Sequence, residues 1–116
     1  MIFPSNCHVY ISISSVDMRK AIDGLSLLVK SHLKHNPFSG QLFVFTNKKR
    51  NIVKILYWQG NGFCLWQKRL EKGCFRWPST NSDVLSLTAR ELSWLLEGLE
   101  INQVKAHPKL EYNIAY

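Results

Sequence analysis

His32 and His35 stand three residues apart, a spacing at which two imidazoles on one helix face can share a metal ion. They have no acidic companion, because no Asp or Glu occurs between Gly24 and Leu70. No metal site is expected. Cutting or joining DNA strands with two metal ions needs several carboxylates around ions roughly 3.5–4 Å apart. The chain has only three Asp (Asp17, Asp23, Asp83) and five Glu. Asp17 and Asp23, six apart on a predicted helix, fall on different faces. Glu91, Glu97 and Glu100 belong with the solvated side of a late helix. A Ser or Cys nucleophile needs a base and an oxyanion hole, yet there is no Gly-x-Ser-x-Gly elbow and no Gly-rich phosphate loop. Tyr10, which could serve as the nucleophile of a tyrosine recombinase, has no surrounding Arg and His cluster in sequence. Cys7, Cys64 and Cys74 are odd in number and form no Cys-x-x-Cys pair, so reduced, mostly buried thiols are expected. The sequence predicts no catalytic residue, no cofactor and no enzyme.

Charge offers a better-founded chemistry. The formal net charge is +7, and between Lys48 and Arg76 eight basic residues accompany one acid, Glu71, so 8 − 1 equals the whole excess. A localised positive field suits a polyanion through release of counterions from phosphates, although a solubilising surface would look the same. Lys48, Lys49, Arg50, Lys54, Lys68, Arg69 and Arg76 are the candidate nucleic-acid contacts within this strip. Arg19 and Lys20, at the start of a predicted helix, oppose its dipole. Either Asp17 or Asp23 compensates them, or they meet phosphate.

The elements that must carry these residues follow from periodicity. Val9, Ile11 and Ile13 alternate with polar residues, as in a strand. Met18, Ala21, Ile22, Leu25, Leu28, Val29 and Leu33 predict one long amphipathic helix over about 17–34, capped by Ser15 with Asp17 in its first turn. Residues 41–47 and 52–58 read as a hairpin with the charged tip Lys48-Lys49-Arg50-Asn51. Further strands are predicted at about 63–70 and 74–77, with Val84–Leu87 as one more strand or an extended lead-in. Thr88-Ala89-Arg90-Glu91 is a capping box opening a shorter helix through Leu92, Leu95, Leu96 and Leu99. The expected fold is α+β: an antiparallel four- to five-stranded meander packed against one long and one shorter helix, with one sheet face free for solvent or a partner. On 52–58 and 63–70 both faces mix apolar, aromatic and basic side chains. Which face points outward stays open, as does a two-sided core with snorkelling lysines. A basic-aromatic sheet can bind nucleic acid by phosphate contact and stacking.

With 116 residues, 46% of them hydrophobic, the chain is expected to be a single domain over 1–116, compact over about 8–100 with a weakly patterned tail over about 101–116 whose last residues are expected to be mobile. No apolar run approaches the ~20 residues of a membrane span. Met1-Ile2-Phe3-Pro4 lacks the features of a signal peptide, so the cytoplasm is the expected compartment and no membrane partner is expected.

Asp17-Met18-Arg19-Lys20 followed by Asp23-Gly24-Leu25, then Pro37-Phe38-Ser39-Gly40 with Leu42-Phe43-Val44-Phe45, resembles the accessory TnpB proteins of the insertion-sequence sixty-six family. So do Tyr57-Trp58 with Gly60, Gly62-Phe63-Cys64-Leu65-Trp66, Lys68-Arg69-Leu70-Glu71-Lys72-Gly73, Phe75-Arg76-Trp77-Pro78 and the ending Leu87-Thr88…Leu92…Leu95-Leu96-Glu97-Gly98. The likeness runs in order from about Tyr10 to Leu99. It departs at Gln59, where the family often has Asp, and at 47–51, which is more Lys-rich and less Gly-rich than usual. The resemblance implies a small bacterial protein, unrelated to the RNA-guided nuclease of the same name. Such a protein is encoded beside a transposase and a second accessory protein, and is needed for efficient transposition. The catalytic acids are expected on the transposase.

The resulting expectation is a non-catalytic accessory protein of DNA transposition that binds DNA, the partner transposase, or both. Trp58, Trp66 and Trp77 are the candidate partner anchors. The rival is an adaptor within the transposase complex that never touches DNA. A nuclease or recombinase is disfavoured by the acid count.

Overall fold

A computed structural model describes residues 6–101. The N-terminal Met1–Pro4 and the tail expected beyond Ile101 lie outside the described residues. The chain runs β1 (Val9–Ser12), α1 (Ile22–Ser31), β2 (Leu42–Thr46), β3 (Ile52–Gln59), β4 (Gly62–Arg69), β5 (Val84–Leu87) and α2 (Ala89–Leu96). The strands form one sheet in the order β4-β3-β2-β1-β5.

The fold is α+β, but the sheet is mixed. β1 pairs parallel with β2, Val9 opposite Leu42 and Ile11 opposite Val44, so α1 is a crossover connection. The other three pairings are antiparallel. The expected hairpin is β2–β3. The strand expected at 74–77 is irregular chain, and Val84–Leu87 takes the edge beside β1 instead.

Both faces of the sheet are covered. Val9, Ile11, Val44, Val53, Ile55 and Leu87 face Leu92 and Leu95 of α2. Phe43, Phe45 and Leu56 face Leu25, Val29 and Leu33 from the α1 side. The solvent-facing sheet face expected from the mixed strands is absent for a physical reason. Strands buried on both sides read as near-continuous apolar runs; Leu42–Phe45 is one, and Val53–Leu56 is another but for Lys54.

The helices have ten and eight residues, not one clearly long and one short. The predicted start at Asp17 fails because that segment uses its polar groups elsewhere. An Asp17 carboxylate oxygen accepts from the Arg19 amide at 2.9 Å. The Lys20 amide donates to the Asp17 carbonyl at 3.1 Å. The Met18 and Lys20 carbonyls, which a helix would need for amides four residues on, accept from Lys54. The helix begins after this turn, without a side-chain cap from Ser15 or any other residue. At the other end Lys34 turns the chain out in the left-handed region, φ 61°. In α2 the capping box is complete: the Glu91 amide donates to Thr88 Oγ1 at 3.1 Å, and the Thr88 amide to Glu91 Oε1 at 2.8 Å.

Candidate nucleic-acid interface

Strand direction decides where the basic residues meet. β1, β2 and β4 run the same way, and β3 and β5 oppose them. The segments 13–21, 47–51 and 70–83 therefore all emerge at one end of the sheet. Together with Arg69, the last residue of β4, they carry eight cations (Arg19, Lys20, Lys48, Lys49, Arg50, Arg69, Lys72, Arg76) and three acids (Asp17, Glu71, Asp83), 8 − 3 = +5 of the chain's +7.

Main-chain bonds hold these segments to one another. The Val16 amide donates to the Thr46 carbonyl at 2.9 Å, joining the turn before α1 to the end of β2. In the hairpin tip the Arg50 amide reaches the Asn47 carbonyl at 3.0 Å, and Asn47 Oδ1 accepts from the amides of Asn51 and Ile52 at 3.0 and 3.1 Å. Arg50 takes φ 62°, a left-handed position that glycine would occupy without strain. Residues 70–83 then strap across the end of the sheet from β4 to β5. The Leu70 amide donates to the Asn51 carbonyl at 2.8 Å and the Phe75 amide to the Arg50 carbonyl at 2.7 Å. Trp77 Nε1 donates to the Ser12 carbonyl at 2.8 Å, and the Ile13 amide to the Asp83 carbonyl at 3.1 Å. The strap buries Phe75 and lays Trp77 under Arg50, whose guanidinium carbon is 6.0 Å from the ring centre.

The candidate cations divide into two kinds. Lys48, Lys49, Arg69, Arg76, Arg19 and Lys20 are exposed, and Arg50 is partly so. Lys54 is 8% exposed, with its ammonium 2.7 Å from the Met18 carbonyl and 2.8 Å from that of Lys20. Lys68 donates to the Leu96 carbonyl at 3.0 Å, a cation at the C-terminus of α2. The structure thus uses Lys54 and Lys68 inside the fold, and they do not belong to the exposed cluster. Lys72, which sequence reasoning counted but did not single out, does.

Local ion pairs temper the field. Arg19 contacts Asp17 through Nε and Nη2, the shorter contact 2.6 Å, and this guanidinium holds the Asp17 carboxyl down at about 2. Arg69 lies 3.4 Å from Glu71, and Arg76 4.0 Å from Glu100. Solvent screens all three pairs, so a phosphate can compete for their cations.

The candidate anchors separate as well. Trp66 and Trp77 pack against the α2-side core. Trp58 sits at the opposite end of the sheet from the cations. There it makes edge-on ring contacts with Phe38 and Phe63, centroids 5.1 and 5.0 Å away, and those two rings lie tilted to each other at 5.2 Å. Phe38 is 54% exposed and was not among the expected anchors, since its role depends on the loop that brings it over β3 and β4.

Of the residues considered for metal binding or catalysis, Tyr10 and His35 come together while the two histidines separate. His35 lies beyond the end of α1 and stacks on Tyr10 at 4.0 Å, so it shares no helix face with His32. Among the described residues no three His, Cys, Asp or Glu side chains group as metal ligands. Cys7 and Cys64 are half-buried, and burial pushes the Cys7 thiol up. Cys74 is exposed, contrary to the expectation of mostly buried thiols. Among the described residues no helix is long and apolar enough to cross a membrane.

Comparison with known proteins bears on the role of this arrangement. Residues 7–106 match the family described as IS66 Orf2-like protein. The chain is 38% identical over 95 residues to the uncharacterized protein y4hO of Sinorhizobium fredii, covering 82% of this chain and 83% of that one. It is 36% identical over 109 residues to y4jC of the same organism, covering 93% of each. No solved structure matches. The chain therefore belongs to the IS66 Orf2-like family, and its role is an accessory one in transposition.

Proposed function

We propose that the protein binds DNA without acting on it chemically, through the basic end of its sheet, and serves the element's transposase in the cytoplasm. Arg19, Lys20, Lys48, Lys49, Arg50, Arg69 and Arg76 supply the phosphate contacts. Lys54 and Lys68 act at one remove, by fixing the turn before α1 and the end of α2. The observation that carries the reading is convergence. Three segments distant in sequence meet at one end of the sheet, and main-chain bonds fix the backbone that carries their cations. With the backbone already ordered, only side-chain freedom remains to be lost when the cations meet phosphate.

The aromatic group at the far end favours a second contact, with the transposase or the second accessory protein. Partly exposed aromatics grouped together are the usual anchors of a protein interface. Trp58 belongs to that surface with Phe38 and Phe63, whereas Trp66 and Trp77 pack against the α2-side core and are not part of it.

A mobility-shift titration against duplex DNA at several salt concentrations tests the first contact. If five of the cations reach phosphates, the log–log slope is about −4.5, and affinity falls roughly 10²–10³-fold between ~50 and ~200 mM salt. A wild-type protein that shifts no duplex even at low salt, while co-purifying with the transposase, leaves the adaptor role in place of this one.

A further inference from the structure

The two edges of the sheet differ. β5 has four residues, as short an edge as natural sheets use to discourage further pairing. β4 has eight, about 27 Å at ~3.4 Å per residue. It pairs with β3 without a break from Gly62 to Arg69, so no bulge twists it away, and it contains no proline. Its one buried-side lysine, Lys68, is turned to the Leu96 carbonyl rather than guarding the edge. Among the described residues no strand covers its outer side.

The register shows which backbone groups are left over. The bond from the Leu70 amide to the Asn51 carbonyl marks that facing pair as hydrogen-bonded. Such pairs alternate along an antiparallel ladder, so Cys64, Trp66 and Lys68 bond inward to β3. The amides and carbonyls of Phe63, Leu65, Gln67 and Arg69 point outward.

We propose that β4 pairs antiparallel with β4 of a second copy of this chain, forming a closed dimer with a continuous ten-stranded sheet. One register matches all four outward residues of each copy: Phe63 opposite Arg69, Leu65 opposite Gln67. It gives about eight new main-chain hydrogen bonds. It also suits the charges. β4 is aromatic and apolar at its start and cationic at its end, so antiparallel pairing sets the Arg69 guanidinium beside the partner copy's Phe63 ring and opposes no two cations. Parallel pairing would align the cations. The symmetry is twofold and closes on itself, so no filament forms. Because the strands run opposite ways, the basic ends of the two copies point in opposite directions. On the DNA-binding reading given above, on which this one consequence rests, a dimer holds two DNA segments at once.

Sedimentation without DNA tests the interface by itself. Wild type is expected at the mass of two chains, Gln67→Pro at the mass of one. Proline at 67 removes an outward donor and no bond to β3. Ser86→Pro is the matched control. The Ile13 amide's bond to the Asp83 carbonyl places Ser86 among the outward residues of β5, and this variant is expected to remain at two chains. Wild type at the mass of one chain throughout overturns the proposal, and so does a Gln67→Pro protein that stays at two. Should Gln67→Pro fail to fold, amide exchange of wild type decides. Slow exchange at Phe63, Leu65, Gln67 and Arg69 that is lost on dilution supports the pairing, and fast exchange there at every concentration overturns it. Folded Gln67→Pro should still shift duplex DNA but lose the capture of a labelled duplex by an immobilised one. A wild type at two chains that shifts no DNA overturns the DNA reading and leaves the dimer standing.

Discussion

The ammonium of Lys54, buried on β3, donates at 2.8 Å to the carbonyl of Lys20, so that one lysine of the expected site positions another. Its second bond, to the Met18 carbonyl, completes the clamp on the turn before α1. Lys54→Met keeps the stem's volume and strands two carbonyls without partners. The expected cost is about 1–3 kcal/mol in denaturant unfolding. The salt slope of DNA binding should fall by less than one phosphate contact, because no exposed cation is removed. A slope reduced as much as by loss of an exposed lysine would show that Lys54 reaches DNA after all.

Lys48 and Lys49 sit at the exposed tip, whereas Arg50 is locked into the hairpin. Lys48→Ser with Lys49→Ser should lower the salt slope by about 2 and leave thermal stability unchanged. Arg50 differs, since its left-handed backbone and its contact with Trp77 act in opposite senses. Arg50→Gly relieves a strain of about 1 kcal/mol and gives up a cation–π contact of similar size, so the melting temperature should hardly move. Arg50→Ala loses the contact and keeps the strain, and should melt lower than Arg50→Gly.

The turn before α1 should respond to acid. Hydrogen bonds from Arg19 lower the Asp17 carboxyl from 3.8 to about 2 in the folded protein. A depressed folded value means that the carboxylate's stabilising effect is complete above the unfolded value and disappears as pH falls through the folded one. Wild type should therefore lose this contribution between about pH 4 and 2. Asp17→Asn should show no corresponding step in the chemical shifts of the Arg19 and Lys20 amides. A wild-type midpoint near the ordinary carboxylate value would contradict the pairing.

The aromatic group tests the second contact. Phe38→Ala removes an exposed ring from an otherwise packed loop, so the fold should survive, as far-ultraviolet circular dichroism would show. If Phe38 and Trp58 anchor the transposase, co-purification should weaken at least about 30-fold, the equivalent of a 2 kcal/mol hot spot. The DNA shift should stay unchanged. Equal loss of both activities would instead place DNA and protein on one surface.

Local patterns in the sequence were enough for the first strand, the β2–β3 hairpin with its charged tip and the Thr88 capping box. Each depends on residues within a few positions of one another, where period and turn chemistry act. The ordered run of motifs from Tyr10 to Leu99 was likewise sufficient to identify the family. What the sequence could not decide depends on partners far along the chain. Lys54 and Lys49 are equivalent to a charge count, and only the approach of carbonyls 34 and 36 residues away takes one of them inside. A strand's period does not name its neighbour, so the parallel pairing of β1 with β2 and the helix on each sheet face emerged only when α1 crossed over. The gathering of Arg19, Lys48, Arg69 and Arg76 at one end follows from that topology. It is the direction of the strands, which composition and periodicity do not encode, that turned a basic strip in the sequence into a basic end of the molecule.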